Sequence, residues 1–328
     1  MPIRYGLFVA VLLTFCSCSS GETGGKGDPE GLIGRMEQEF RSRPSIDANG
    51  NRVWNTLGFS RFGISNPHLT TWIGEIMAEE RELLSLGPAV VAPVGSALLN
   101  PKLSRDLRAR LAVLLGRLGE PGAAPFLFKI IDEDPDPLLR ECAVTGLGLL
   151  RGADLVERLS LCLKSGRVRK QVVHWAMGMC GTGSSRDQAL ALCDEVLRTE
   201  ECEDALSGFP APAITVGSGD RHLRLEAKVT TENENLSLDL WRASHFRSRE
   251  VVRILISGLR YHNSWVQHMA LSKLIESVDC PASLRGGNDY DLHSLQMHQD
   301  WADWWRHSES TLRWDEAAAK YVSDARKN

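Results

Sequence analysis

The chain has 328 residues, 43% of them hydrophobic and 24% charged, with a net charge of −4. That length holds one large or two ordinary domains, and the apolar share is enough for a core. The acidic balance argues against a nucleic-acid binder working by bulk charge, because such domains are basic overall.

The N-terminal MPIRYGLFVAVLLTFCSCSS carries one basic residue, Arg4, then an apolar run from Tyr5 to Phe15. The run is too short to cross a bilayer of ~30 Å, which takes about 20 apolar residues, and fits the apolar section of an export signal. Small residues and cysteines follow at once. The pattern resembles a bacterial lipoprotein signal, in which a cysteine after an apolar-small box is lipidated and becomes the first mature residue. Ser17 before Cys18 suits that box, while Phe15 stands where leucine is usual. The resemblance implies lipidation at Cys18 with residues 1–17 as signal peptide. The alternative is a plain secretory signal cut near Ser19 to Gly21. Ser19 in place of Asp leans, by the same resemblance, towards an outer membrane or periplasmic face. Residues 18–31 are small, polar and glycine-rich, which reads as a flexible tether. The stretch GETGGKGD within them is no phosphate loop, since Gly27 replaces the Ser/Thr after Lys26 and no strand precedes it.

Residues 32–86 read as an N-terminal helical cap with a turn at Asp47–Gly50, its Trp54, Phe59, Phe62 and Trp72 covering the next unit's open end. A period then sets in. LRARLAVLLG ends at Gly116, LRECAVTGLG at Gly148 and RKQVVHWAMG at Gly178, glycines 32 and then 30 residues apart. Between them, Leu155, Val156, Leu159, Cys162 and Leu163, and later Leu190, Cys193, Val196 and Leu197, follow helical spacing. A period of about 30 residues with two helices per unit is the signature of a helical solenoid. Asp134-Pro135-Asp136-Pro137-Leu138-Leu139-Arg140 supplies acid-proline punctuation: proline starts a helix, and an aspartate caps its orphan N–H groups. These residues resemble HEAT repeats, including the related repeats named after phycobilisome lyases. The resemblance implies an all-α fold, a HEAT-like (armadillo-like) α-solenoid over residues 87–209 with helical caps.

Beyond it the helical period breaks. Leu223, Leu225, Ala227 and Val229, then Leu236, Leu238 and Leu240, alternate with polar residues around Glu232–Asn235. Alternation with a turn predicts a small β-hairpin insertion within residues 210–245. Val251 to Leu259 and Trp265 to Leu271 make a degenerate repeat over 246–280. Residues 281–328 are a Trp-rich C-terminal helical cap. In it Trp301 and Trp305 share a face, and Asp315 is placed to cap a helix EAAAKYV. Either the tryptophans cover the last repeat, or Trp304 and its neighbours form an exposed aromatic patch for a partner.

No reaction chemistry stands out. No CxxC, HExxH or GxSxG occurs, so no metal and no cofactor is expected. Cys162 and Cys193, one unit apart, are the best disulfide candidates among Cys142, Cys162, Cys180, Cys193, Cys202 and Cys280, but buried free thiols weigh more. Arg105, Arg108, Arg110, Arg140, Arg167, Arg169 and Lys170 recur where second helices start. They read either as a partner-binding stripe centred on Arg108, Arg140 and Lys170, or as a ladder to Asp106, Asp134, Asp136 and Glu141 that holds units in register. The expected function is an exported, membrane-anchored scaffold that binds a protein partner and no nucleic acid, without catalysis. The alternatives are an enzyme or enzyme accessory, as some proteins with these repeats act on tetrapyrrole-bearing partners, and a structural envelope lipoprotein.

Overall fold

A computed structural model describes residues 27–42, 76–199, 231–261, 264–285 and 295–323. Thirteen α-helices lie among them: α1 (Pro29–Ser42), α2 (Ala78–Ser85), α3 (Val91–Leu98), α4 (Arg105–Leu118), α5 (Ala124–Glu133), α6 (Pro137–Leu150), α7 (Leu155–Ser165), α8 (Lys170–Met179), α9 (Gly183–Thr199), α10 (Thr231–Ala243), α11 (Arg249–Gly258), α12 (Ser264–Ser277) and α13 (Leu295–Ser308). They pair as α3/α4, α5/α6, α7/α8, α9/α10 and α11/α12. In the first three pairs the second helices stack side by side, α4 on α6 and α6 on α8. The fold is the expected helical solenoid.

The punctuation works as its residue types dictate. Asp136 is the N-cap of α6, accepting from the backbone N–H of Leu138 at 2.8 Å, with Pro137 in the first turn. Asp28 caps α1 in the same way, accepting from the N–H groups of Glu30 and Gly31, both at 3.1 Å. That helix starts at Pro29, inside the range read as a tether, and residues 18–26 of that range lie outside the described residues. The repeat glycines let helices touch through their backbones. A Cβ on Gly116 would lie 2.3 Å from the carbonyl oxygen of Gly146, and one on Gly148 would lie 2.9 Å from the Cα of Ala176.

At the N-terminal end, α1 packs against α2, α3 and α4. Glu37 of α1 accepts from the N–H of Ser104 at 3.0 Å and from its hydroxyl at 2.6 Å, at the start of α4. Glu80 of α2 is fully buried and takes Arg110 of α4 in a two-pronged pair at 2.6 and 2.7 Å. Trp54, Phe59, Phe62 and Trp72 lie outside the described residues.

Two expectations about β-structure change. The second strand of the hairpin is instead α10, the second helix of a fourth pair, while Leu223 to Thr230 lies outside the described residues. The reason is burial on every side. Leu236, Leu238 and Leu240 are buried, and so are Ser237 at 1% and Asp239 at 5% exposure. The intervening polar residues therefore do not mark a solvent face, and the alternation carries no strand signal. Among the described residues the β-hairpin lies in the tail. Strands β1 (Leu312–Asp315) and β2 (Lys320–Ser323) run antiparallel, with Trp314 opposite Tyr321. Asp315 caps no helix. It accepts from the N–H groups of Ala317 and Ala318 at 2.9 and 3.0 Å and so closes the turn. The aromatic cross-strand pair, centroids 5.0 Å apart, outweighs the helical preference of three alanines. Trp301 is fully buried and Trp305 is 9% exposed, so α13 turns its tryptophans inwards and packs on α11.

Candidate functional site

The recurring arginines mostly hold the repeats to one another. Arg105 reaches Asp136 at 2.7 Å across the first two pairs, and Arg108 reaches Asp134 at 2.5 Å while donating to the carbonyl of Leu98. Arg140 donates to the carbonyls of Asp134 and Pro135, both at 2.8 Å, and to that of Arg167 at 3.2 Å. Arg167 donates to the carbonyl of Asp132 at 2.6 Å. Of the residues singled out as a partner stripe, Arg108 is committed to the next repeat, and Arg140 to the α5–α6 loop of its own pair and to Arg167 of the next. Lys170, the first residue of α8, is exposed. Trp304 is half-buried, edge-on to Trp301 at 5.6 Å, in a helix that packs on α11. It is not gathered with the other three into one site.

The densest polar cluster lies inside the stack, where α6, α8 and α10 meet. Arg169 donates to Glu141 at 2.8 and 2.9 Å and to Asp239 at 2.7 and 3.2 Å. Arg242 donates to Asp239 at 2.6 Å and to the hydroxyl of Thr145 at 3.0 Å. Trp175 closes the cluster by donating its indole N–H to the carbonyl of Arg242 at 2.5 Å. Two cations therefore meet two carboxylates, with Arg242, Asp239 and Glu141 all under 10% exposed. Burial alone would lower the pKa of Arg169, but Asp239 and Glu141 more than offset it and raise it. Asp239 and Arg242 escape a reading by sequence because they belong to the stretch taken for a strand. Their i,i+3 spacing, shared by the Asp239–Arg242 ion pair, is the signal that would have pointed to a helix.

An open groove of ≈ 500 Å³ runs between α9 and α11, lined by Asp187, Leu190, Asp194, Arg198, Glu250 and Arg253. Its charges are internally matched: Asp194 receives Arg198 at 2.7 Å and Arg253 at 2.9 Å. Five cysteines among the described residues are buried free thiols, Cys162 and Cys193 included, and Cys202 lies outside those residues. Burial pushes the Cys142 thiol up to about 12, which keeps it protonated and unreactive at neutral pH. Among the described residues no His, Cys, Asp and Glu side chains are grouped to hold a metal ion, and no helix is long and apolar enough to cross a membrane.

Compared with known proteins, residues 91–178 match the family model of HEAT repeats. No curated protein and no solved structure gives a significant match to the chain.

Proposed function

The chain carries HEAT repeats at residues 91–178, and on that premise we propose that it is a non-catalytic scaffold that holds a protein partner outside the cytoplasm. The observation that carries this reading is the Arg-to-carbonyl and Arg-to-carboxylate ladder between successive pairs. It fixes the repeats in one register, so residues far apart in sequence keep constant spacing along the stack. A rigid display surface of that kind binds without first paying an ordering entropy. With Arg108 and Arg140 committed to the ladder, Lys170 is the residue of the stripe that remains for a partner, in line with the exposed start of α8.

The second part of the proposal is the address. Cys18 carries acyl chains that hold the protein on the outer-membrane or periplasmic face, each buried CH₂ contributing about 0.8 kcal/mol. Residues 19–28 then space the repeats from the surface.

Two measurements test the two parts separately. Mass spectrometry of the mature N-terminus is expected to find a lipid-bearing Cys18. A mature chain that begins between Ser19 and Gly21 without lipid rejects the anchor and leaves the scaffold untouched. In-cell crosslinking followed by protein identification is expected to lose its main partner in Lys170→Glu while circular dichroism stays unchanged. An unaltered partner set in that variant rejects the α8 start as the binding face.

A further inference from the structure

Arg242 has one nitrogen that the buried cluster does not use. Its Nε serves Thr145 and its Nη1 serves Asp239, but Nη2 is buried and has no partner. A guanidinium nitrogen shut away from solvent without an acceptor is rare in folded proteins. Arg242 also lines a cavity of ≈ 10 Å³, together with Gln171, Trp175, Leu190, Asp239 and Phe246, with Ala189 and Ala243 completing the wall. That volume admits the centre of one water molecule and little else. The wall offers three polar side chains besides the indole: a donor in Arg242, an acceptor in Asp239 and an amide in Gln171. Trp175 is already committed, since its N–H goes to the Arg242 carbonyl.

We propose that this cavity is a binding site for a single, permanently held water molecule, which accepts from Arg242 Nη2 and donates towards Asp239 and Gln171. Charge decides between water and an anion. Arg169 and Arg242 are already balanced by Glu141 and Asp239, so an added anion would sit in a neutral cluster with the Asp239 carboxylate in the same wall. A neutral ligand that both donates and accepts fits that wall. The water completes the polar junction of α6, α8 and α10, and it accounts for an arginine at position 242, because the donors of a lysine sit on one nitrogen and cannot spread to Thr145, Asp239 and the water as a guanidinium does.

The test uses the full chain in crystals diffracting well enough to place solvent, with sodium bromide as the anion probe. The expected result is a single density peak within hydrogen-bond distance of Arg242 Nη2, with no anomalous bromide signal. An empty cavity, or bromide in it, overturns the proposal. The variant Ala189→Leu fills the space from the α9 side. Displacing a required water lowers Tm and removes one long-lived water from the magnetic relaxation dispersion profile. A rise in Tm, as expected on filling a dry apolar void, or an unchanged dispersion profile also overturns the assignment.

Discussion

Between α4 and α6 the chain packs backbone on backbone, Gly116 against Gly146, with the Arg105–Asp136 pair at the end where the two helices start. Between α8 and α10 it packs side chain on side chain, joining Arg169 to Asp239 and Trp175 to Arg242 over 70 and 67 residues of sequence. Both seams bring second helices of neighbouring pairs together. The first does it with a missing Cβ at matching places in the first two units, Gly116 and Gly148, and the second with charges specific to one junction. A glycine seam repeats along the chain and so leaves a motif. An ionic seam depends on residues the chain brings together from afar and leaves none. Breaking each seam separately measures how much of the stack rests on either device.

The largest effect is expected at the ionic seam. Asp239→Ala leaves the half-buried Arg169 short of one carboxylate and the fully buried Arg242 without any, and should cost about 4 kcal/mol in urea unfolding. The reference is Arg105→Ala, whose partner is Asp136 but whose own side chain is 53% exposed. An exposed pair of that kind is worth about 0–1 kcal/mol. Equal losses in the two variants would mean that the buried cluster adds nothing to the junction.

At the glycine seam, Gly116→Ala places a methyl 2.3 Å from a carbonyl oxygen that belongs to backbone and cannot swing away. The loss should be about 3 kcal/mol, the upper end of overpacking. Gly258→Ala is the matched control from the C-terminal half. Its nearest neighbour is the Ala270 methyl at 3.0 Å, then the flexible Leu240 side chain at 3.2 Å. That site should lose less than about 1 kcal/mol, and a loss as large as at Gly116 would show that the C-terminal half is packed just as tightly.

The same contrast decides what could be read from the sequence. Gly116, Gly148 and the Asp136-Pro137 start announce themselves, because a tight approach and a helix cap each need one residue type at one place. The stack, its helix order and the ladder alternative for Arg105 and Arg108 follow from them. Position 236–240 reads wrongly because alternation signals a strand only when one face meets water, and here Ser237 and Asp239 are as buried as the leucines. The tail reads wrongly because Asp315 caps a turn with the same geometry as it would cap a helix. Arg242 and its cavity could not be read at all: their partners Thr145 and Trp175 lie 97 and 67 residues away.

Acid sharpens the comparison further, because the titrating histidines lie on one side of it. His245 follows α10, ring to ring with Trp241 at 4.5 Å and Trp175 at 5.9 Å. Burial, helped by Lys273, Arg117 and Arg151 against a hydrogen bond to Trp241, pushes it down to about 4. His298 in α13 is likewise pushed down to about 4 by burial and Arg260. In the unfolded chain each titrates near 6.5. Between those values the unfolded state binds the extra proton, so stability is whole above pH 6.5 and falls as pH drops towards 4. From pH 7 to 5 His245 should remove about 2 kcal/mol, and the half-buried His298, screened by solvent, less. No comparable histidine lies in the α4–α6 seam, so hydrogen exchange at pH 5 should strip protection from α10–α13 before α4–α6, and His245→Gln should shrink that gap. If the α4–α6 amides open first, or if His245→Gln leaves the pH dependence unchanged, the acid sensitivity belongs to the carboxylates of the ladder and the two halves do not differ in this respect.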